Sequence, residues 1–214
     1  MVTSVSVITP LIASVAGFFV TKRYWHSKVF GLSYLALSLG MLMNALGEVV
    51  YYILQQKGFD MSVPQLNDAI FLSFYPLTFF HLARNIKFFK PKISAPIKIL
   101  ITILPISVAG VYVFLEYGQS NVLDENFFVG LAYIVGSAVI FSASILGALI
   151  FRQGILGTPW LILALGIALT TLADNWYSYL NLYNQYTETH LVNLLWYAGY
   201  LVVAYALYKH KDVV

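Results

Sequence analysis

The chain has no cysteine among its 214 residues, so neither a disulfide nor a thiolate metal or redox centre can be built from it. Charge is scarce as well. Only 10% of the residues are Asp, Glu, Lys or Arg, against roughly 25% in a soluble domain. A basic segment is missing before the first apolar run, from about Val5 to Val20, whereas Lys22 and Arg23 follow it. That order argues against a cleaved signal peptide and for a first membrane span with its N-terminus outside. The last apolar run, Leu191 to Tyr205, has no lysine, which excludes a retinal Schiff base there. His26, His81, His190 and His210 stand singly near span ends on both sides, so no haem or zinc site and no other cofactor is expected. No nucleophile–base pair stands out, so no enzymatic activity is expected. The formal charge of +3 is too small for a nucleic-acid partner.

What is present is apolar: 60% hydrophobic residues and a mean hydropathy of +0.78. This composition predicts an all-α integral membrane protein. A bilayer core takes about 20 mostly apolar residues per helix. Seven such spans can be drawn, at about 4–21, 30–55, 65–86, 95–117, 126–151, 157–181 and 190–208. The breaks carry loop chemistry, as in Lys57-Gly58-Phe59-Asp60, Lys90-Pro91-Lys92 and Tyr117-Gly118-Gln119-Ser120-Asn121. Pro64 and Pro96 suit first-turn positions. Pro76 and Pro105 fall within spans and are expected to kink them.

Seven spans sort the charges. Lys22, Arg23, Lys28, Arg84, Lys87, Lys90, Lys92, Lys98, Arg152, Lys209 and Lys211 share one side, and only Lys57 takes the other. Asp60, Glu116, Asp124, Glu125 and Glu188 join Lys57. Positive residues stay cytoplasmic, which predicts an outside N-terminus and a cytoplasmic C-terminus, in the plasma membrane of a prokaryote. Little of the chain is left outside the bilayer, so 1–214 reads as one membrane domain without a soluble output domain.

The spans also repeat. At a shift of 126 residues, Gly31, Gly40, Glu48 and Tyr51 meet Gly157, Gly166, Asp174 and Tyr177. At a shift of 125, Asp68, Phe71, Tyr75 and Arg84 meet Asn193, Trp196, Tyr200 and Lys209. Spans 1 and 5 align through Ala13-Ser14 with Ala143-Ser144 and through Gly17 with Gly147. The predicted organisation is a parallel 3+1+3 repeat: about 4–86, a connector at about 95–117, and about 126–209. Transporters built from parallel repeats hold their site between the halves. In topology the arrangement resembles microbial rhodopsins and the sugar-transporting SWEET proteins. Pro64-Gln65 resembles the PQ motif of the latter, but has no copy before span 7.

The repeat points to a site. An acid inside a membrane span is costly and usually faces the bundle interior or a wet cavity. Asn44, Glu48 and Tyr51 share one helix face, and Thr170, Asp174 and Tyr177 repeat it. Asp68, Phe71 and Tyr75 form a face of span 3, repeated by Asn193, Trp196 and Tyr200. Glu48 and Asp174 lie about seven residues from the outer ends of their helices, ~10 Å deep. These residues are expected to line one outer-leaflet cavity for a proton or a small polar or cationic ligand, since carboxylates over aromatic faces suit an ammonium group. Plainer roles compete. Asp68 also fits a first-turn acid favoured by the helix dipole. Tyr52, Tyr179, Tyr183 and Tyr186 read as an interfacial belt. Glu48 and Asp174 could instead make structural hydrogen bonds to Asn44, Tyr177 or Asn193.

The same residues carry a family resemblance. Gly47, Glu48 and Tyr51, followed by Asp68, Phe71, Tyr75 and Pro76, resemble the seven-helix membrane sensor modules in front of histidine kinases and diguanylate cyclases of archaea and bacteria. Ala173, Asp174, Tyr177, Asn193, Trp196, Gly199 and Tyr200 supply the second copy. The resemblance implies a sensory, receptor-like module that signals through a separate cytoplasmic protein. Two alternatives stand beside it: an accessory subunit packed among other membrane subunits, and a small-solute transporter. The lipid bilayer is the expected surrounding in each.

Overall fold

The computed structural model describes residues 2–61, 63–89 and 92–212. Lys90 and Pro91, which were expected to form a break, lie outside them. The described residues contain eight α-helices and no strand: α1 (Val2–Arg23), α2 (Phe30–Gln56), α3 (Leu66–Leu72), α4 (Phe74–Phe89), α5 (Ala95–Ser120), α6 (Glu125–Phe151), α7 (Gly157–Leu182) and α8 (Val192–Asp212). Helices α1, α2, α5, α6 and α7 are long and apolar enough to cross a membrane. The α3–α4 stretch is broken, and α8 is diluted by Asn193, Trp196 and its tyrosines.

Local chemistry sets the helix ends. Asp124 caps α6, its side chain accepting from the Phe127 N–H at 2.9 Å. Pro96 sits in the first turn of α5, where its missing N–H costs nothing. Asn121 ends that helix in the left-handed conformation at φ 53°. Gln65 is the N-cap of α3, which places Pro64 just ahead of the helix rather than in its first turn. Pro76 does not kink a continuous span 3 but divides it. Its ring would meet the carbonyl four residues back, that of Leu72, and the helix is interrupted between Leu72 and Phe74. The Ser73 hydroxyl donates to the Ile70 carbonyl at 2.6 Å across the break. Pro105 stays inside an uninterrupted α5.

Six helices close a ring in the order α1, α2, α4, α6, α7, α8, with α8 returning to α1. Short α3 leans on α2 and α6, and α5 packs on α6 outside the ring. Small residues make the tight seams, as membrane helices require. Ala13, Ser14 and Thr21 are buried on α1, and Ser14 donates to the Ser38 carbonyl of α2 at 3.0 Å. On α7 and α8 a Cβ at Gly166 would come within 3.0 Å of the Gly199 carbonyl oxygen, so these backbones touch. Gly31 and Gly157 open α2 and α7 in one manner. A Cβ on either would meet carbonyl oxygens of the preceding loop or helix end at 2.8 and 2.9 Å. Leu37, Met41, Trp160, Ile167 and Leu207 fill the centre of the ring.

Candidate functional site

Asp174 is an acid held by two side-chain donors. It is half-buried on α7. Its Oδ2 accepts from the Tyr75 hydroxyl of α4 at 2.9 Å. Its Oδ1 accepts from the Trp196 indole N–H of α8 at 2.8 Å. One carboxylate therefore ties three helices. Its donors are neither Asn44, Tyr177 nor Asn193, the partners that spacing along the chain suggested. Tyr75 reaches it because α6 has Gly136 at the crossing, where a Cβ would lie 2.6 Å from the Tyr75 ring.

The network extends sideways. Tyr75 meets Tyr133 of α6 edge to face at 6.1 Å. The Tyr133 hydroxyl donates to Asp68 Oδ1 at 3.0 Å. The other oxygen of Asp68 accepts from the Gln65 N–H at 2.8 Å, closing a capping box. Asp68 thus caps α3 and belongs to the cluster at once. On the far side Tyr177 meets Trp196 at 5.6 Å and Tyr186 at 4.7 Å. The Tyr186 hydroxyl donates to Asn193 Oδ1 at 3.2 Å, and Asn193 Nδ2 donates to the Glu188 carbonyl at 2.6 Å. A run of contacts therefore joins Asn193, Tyr186, Tyr177, Trp196, Asp174, Tyr75, Tyr133 and Asp68.

Glu48 stands apart from Asp174. It is half-buried on α2, and Ser6 of α1 is its hydrogen-bond partner. Ser6 also pairs with the Tyr52 hydroxyl at 3.3 Å. Tyr200, on α8, lies within electrostatic reach of both acids. Tyr51 lies within reach of Glu48, Tyr177 and Glu188. Gln55 closes this rim by donating to Glu188 Oε1 at 2.6 Å. Asn44 is buried, and its Nδ2 has no protein partner. A Cβ on Gly47 would lie 2.6 Å from the Phe71 ring, so glycine lets α3 approach α2 beside Glu48. The two acids differ in setting. Trp196 donates an N–H to Asp174, whereas Phe71, its counterpart, has none to give.

Three participants were not legible in the sequence. Tyr133 sits in an apolar run with only Gly136 and Ser137 nearby to mark an inward face. Tyr186 and Tyr52, expected in an interfacial belt, carry side-chain hydrogen bonds, to Asn193 and to Ser6. Tyr179 and Tyr183 are exposed, their rings tilted against each other with centroids 4.8 Å apart. His81 and His210 are not isolated, as their spacing implied: each ring lies 4.8 Å from Tyr34. Among the described residues no group of three or more His, Cys, Asp or Glu side chains could hold a metal ion.

No protein-family model, curated protein or solved structure matches the chain.

Tyr186 lies in the loop between α7 and α8, and burial raises its pKa above the ordinary tyrosine value. In the unfolded chain it would ionise near pH 10. The folded state keeps its proton to higher pH, so the unfolded state binds fewer protons there and stability falls as pH rises past about 10. Tyr186→Phe is expected to flatten this alkaline loss, read as melting temperature against pH, while lowering stability at neutral pH through the lost bond to Asn193.

Proposed function

We propose that the chain is a membrane-embedded sensory module whose Asp174 cluster responds to a proton or a small cationic ligand and acts through a separate partner. The observation that carries this reading is the double acceptor role of Asp174, between Tyr75 of α4 and Trp196 of α8. Hydrogen bonds to a carboxylate are stronger than neutral ones. Protonation, or capture of the carboxylate by an ammonium group, weakens both at the point where three helices meet. A ligand shifts a conformational equilibrium only by its difference in affinity for the two states. Here that difference is the fate of two charge-assisted bonds. The rings of Tyr177 and Trp196, 5.6 Å apart, offer the faces an ammonium would need.

The topology in this proposal is seven crossings, with α3 and α4 counted as one, an outside N-terminus and a cytoplasmic C-terminus in a prokaryotic plasma membrane. It includes the parallel 3+1+3 repeat. The ring supports that repeat, because its contacts pair off: α1–α2 with α6–α7, α2–α4 with α7–α8, and α8–α1 with α4–α6. The like settings of Gly31 and Gly157 support it locally. The resemblance to sensor modules before histidine kinases and diguanylate cyclases supplies the class of partner, a cytoplasmic signalling protein.

Small-solute transport is a second reading, favoured by the same paired ring, since parallel repeats place a substrate between their halves. The accessory-subunit reading is favoured by α5, which packs mainly on α6 outside the ring and leaves Phe114 78% exposed. The deciding measurement is a melting-temperature screen of the purified protein against small ammonium compounds and against pH, for the wild type and Asp174→Asn. A shift present in the wild type and absent in the variant supports sensing at this site. Equal responses in both proteins, or none in either, would sink it.

A further inference from the structure

The inner face of α4 is polar along its whole buried length. Tyr75, Thr78, His81 and Asn85 follow one another at spacings of three, three and four residues, and each is at most 8% exposed. From Tyr75 to Asn85 this stripe rises ~15 Å, about half the hydrocarbon thickness of a bilayer. Burying hydroxyl, imidazole and amide groups in the centre of an apolar bundle is costly unless they are hydrogen-bonded. Among the described residues, several lack protein partners. Thr78 Oγ1, His81 Nε2 and Asn85 Oδ1 on α4, and Trp160 Nε1 on α7, are buried with none. The same holds for the Tyr24 hydroxyl beyond α1 and both ring nitrogens of His210 on α8.

His81 is held through Nδ1, which lies 3.1 Å from the Ser33 carbonyl and 2.8 Å from the Ser33 hydroxyl. Nε2 is the ring nitrogen left for a water, donating or accepting according to the tautomer. The Asn85 amide donates to Ser33 Oγ and to the His81 carbonyl, which leaves its Oδ1 as an acceptor. Trp160 stacks on the His81 ring at 5.9 Å and contributes an unused donor. The stripe therefore alternates groups able to hold water with donor and acceptor ends both represented. Buried polar atoms of this kind are ordinarily completed by water making two to four hydrogen bonds.

Both ends of the stripe meet titratable groups. At one end Tyr75 donates to Asp174, with Tyr133, Tyr177 and Tyr200 facing them from α6, α7 and α8. At the other end His81 faces Tyr34, which faces His210, which faces Tyr24 at 5.7 Å. No lysine or arginine is part of this series. Arg84 turns away, donating to the carbonyls of Lys28 and Val29. A cleft of about 400 Å³ walled by Phe30, Phe89 and Phe151 opens beside this end. Phe30 touches His210, and Phe151 stacks on Trp160.

We infer that the inner stripe of α4 is a water-lined proton path joining the Asp174 cluster to the His81–His210 cluster at the opposite end of the bundle. Each step breaks one O–H or N–H bond and forms another on the next oxygen or nitrogen, so nothing is oxidised or reduced and every group regains its starting charge. Thr78 Oγ1, His81 Nε2 and Asn85 Oδ1 hold the waters in line. The inference goes beyond the sensory reading, and its test reads proton flux rather than ligand binding, so either can fail alone.

The test uses the full chain in liposomes with a trapped pH dye, driven by a potassium diffusion potential. Proton entry is expected several-fold faster than in protein-free vesicles. Thr78→Val keeps the volume and removes the hydroxyl, and is expected to return entry to the protein-free rate. Thr102→Val, on an exposed face of α5, is the control and is expected to keep the wild-type rate. Melting temperature is measured alongside. A water held by Thr78 makes Thr78→Val less stable than the wild type, whereas removal of a dry orphaned hydroxyl leaves stability unchanged or higher. Wild-type flux equal to that of empty vesicles overturns the inference, as does flux that survives in a folded Thr78→Val.

Discussion

Asp174→Leu is expected to lower stability by about 2–4 kcal/mol, read by unfolding in mixed detergent micelles. The substitution keeps an apolar side chain of similar size on α7 but removes the acceptor of two donors. The Tyr75 hydroxyl and the Trp196 indole N–H are then both left without a partner. Each orphaned buried donor costs ~1–3 kcal/mol in water-soluble proteins. Side-chain hydrogen bonds between membrane helices are worth less, ~0.6 kcal/mol on average, because the unfolded chain in lipid also finds partners. The charged acceptor and the simultaneous loss of two bonds place the sum between those limits. Tyr75→Phe and Trp196→Phe each remove one bond and are expected to cost less than half as much. A mild phenotype for Asp174→Leu, no worse than either single aromatic change, would mean that the carboxylate is not the tie between the helices.

The second large effect is expected at Gly199, where α7 and α8 touch. A Cβ there would lie 2.6 Å from Thr170 Cγ2, 3.0 Å from the Gly166 carbonyl oxygen and 3.2 Å from the Thr170 nitrogen. The first neighbour can rotate, but the other two are helix backbone. Gly199→Leu must push the two helices apart, and ~3 kcal/mol is expected, at the upper end of overpacking costs. The displacement also draws Trp196, three residues earlier on α8, off Asp174. Asp174-dependent responses should therefore vanish together with stability. Gly110→Leu on α5, where a Cβ meets nothing within 4 Å, is the matched control and should be silent. Equal behaviour of the two leucine variants would show that close α7–α8 contact contributes little.

Much of this fold is legible in the chain because it rests on local or periodic signals. Apolar length, Pro96, Asn121 and Asp124 place helix bounds within a few residues of those observed. Pro76 marks the disturbance in the third apolar stretch, although its steric effect falls three residues earlier, at Ser73. Glu48 and Asp174 are likewise visible as acids inside apolar runs. Their unequal settings are not, since packing decides which helix faces which acid.

By itself the amino-acid sequence determined an all-helical chain with several segments apolar and long enough to cross a membrane, and placed two acids inside such segments, because hydropathy and turn chemistry act over a few neighbouring residues. The tertiary structure alone decided the partners. Tyr75 reaches Asp174 from 99 residues away and Trp196 from 22. It also decided that Asp68 serves as cap and cluster member together, and that two histidines flank Tyr34. Such pairings follow from the order of helices around the ring and from the glycines that let them close, and no periodicity along one helix encodes which other helix will face it.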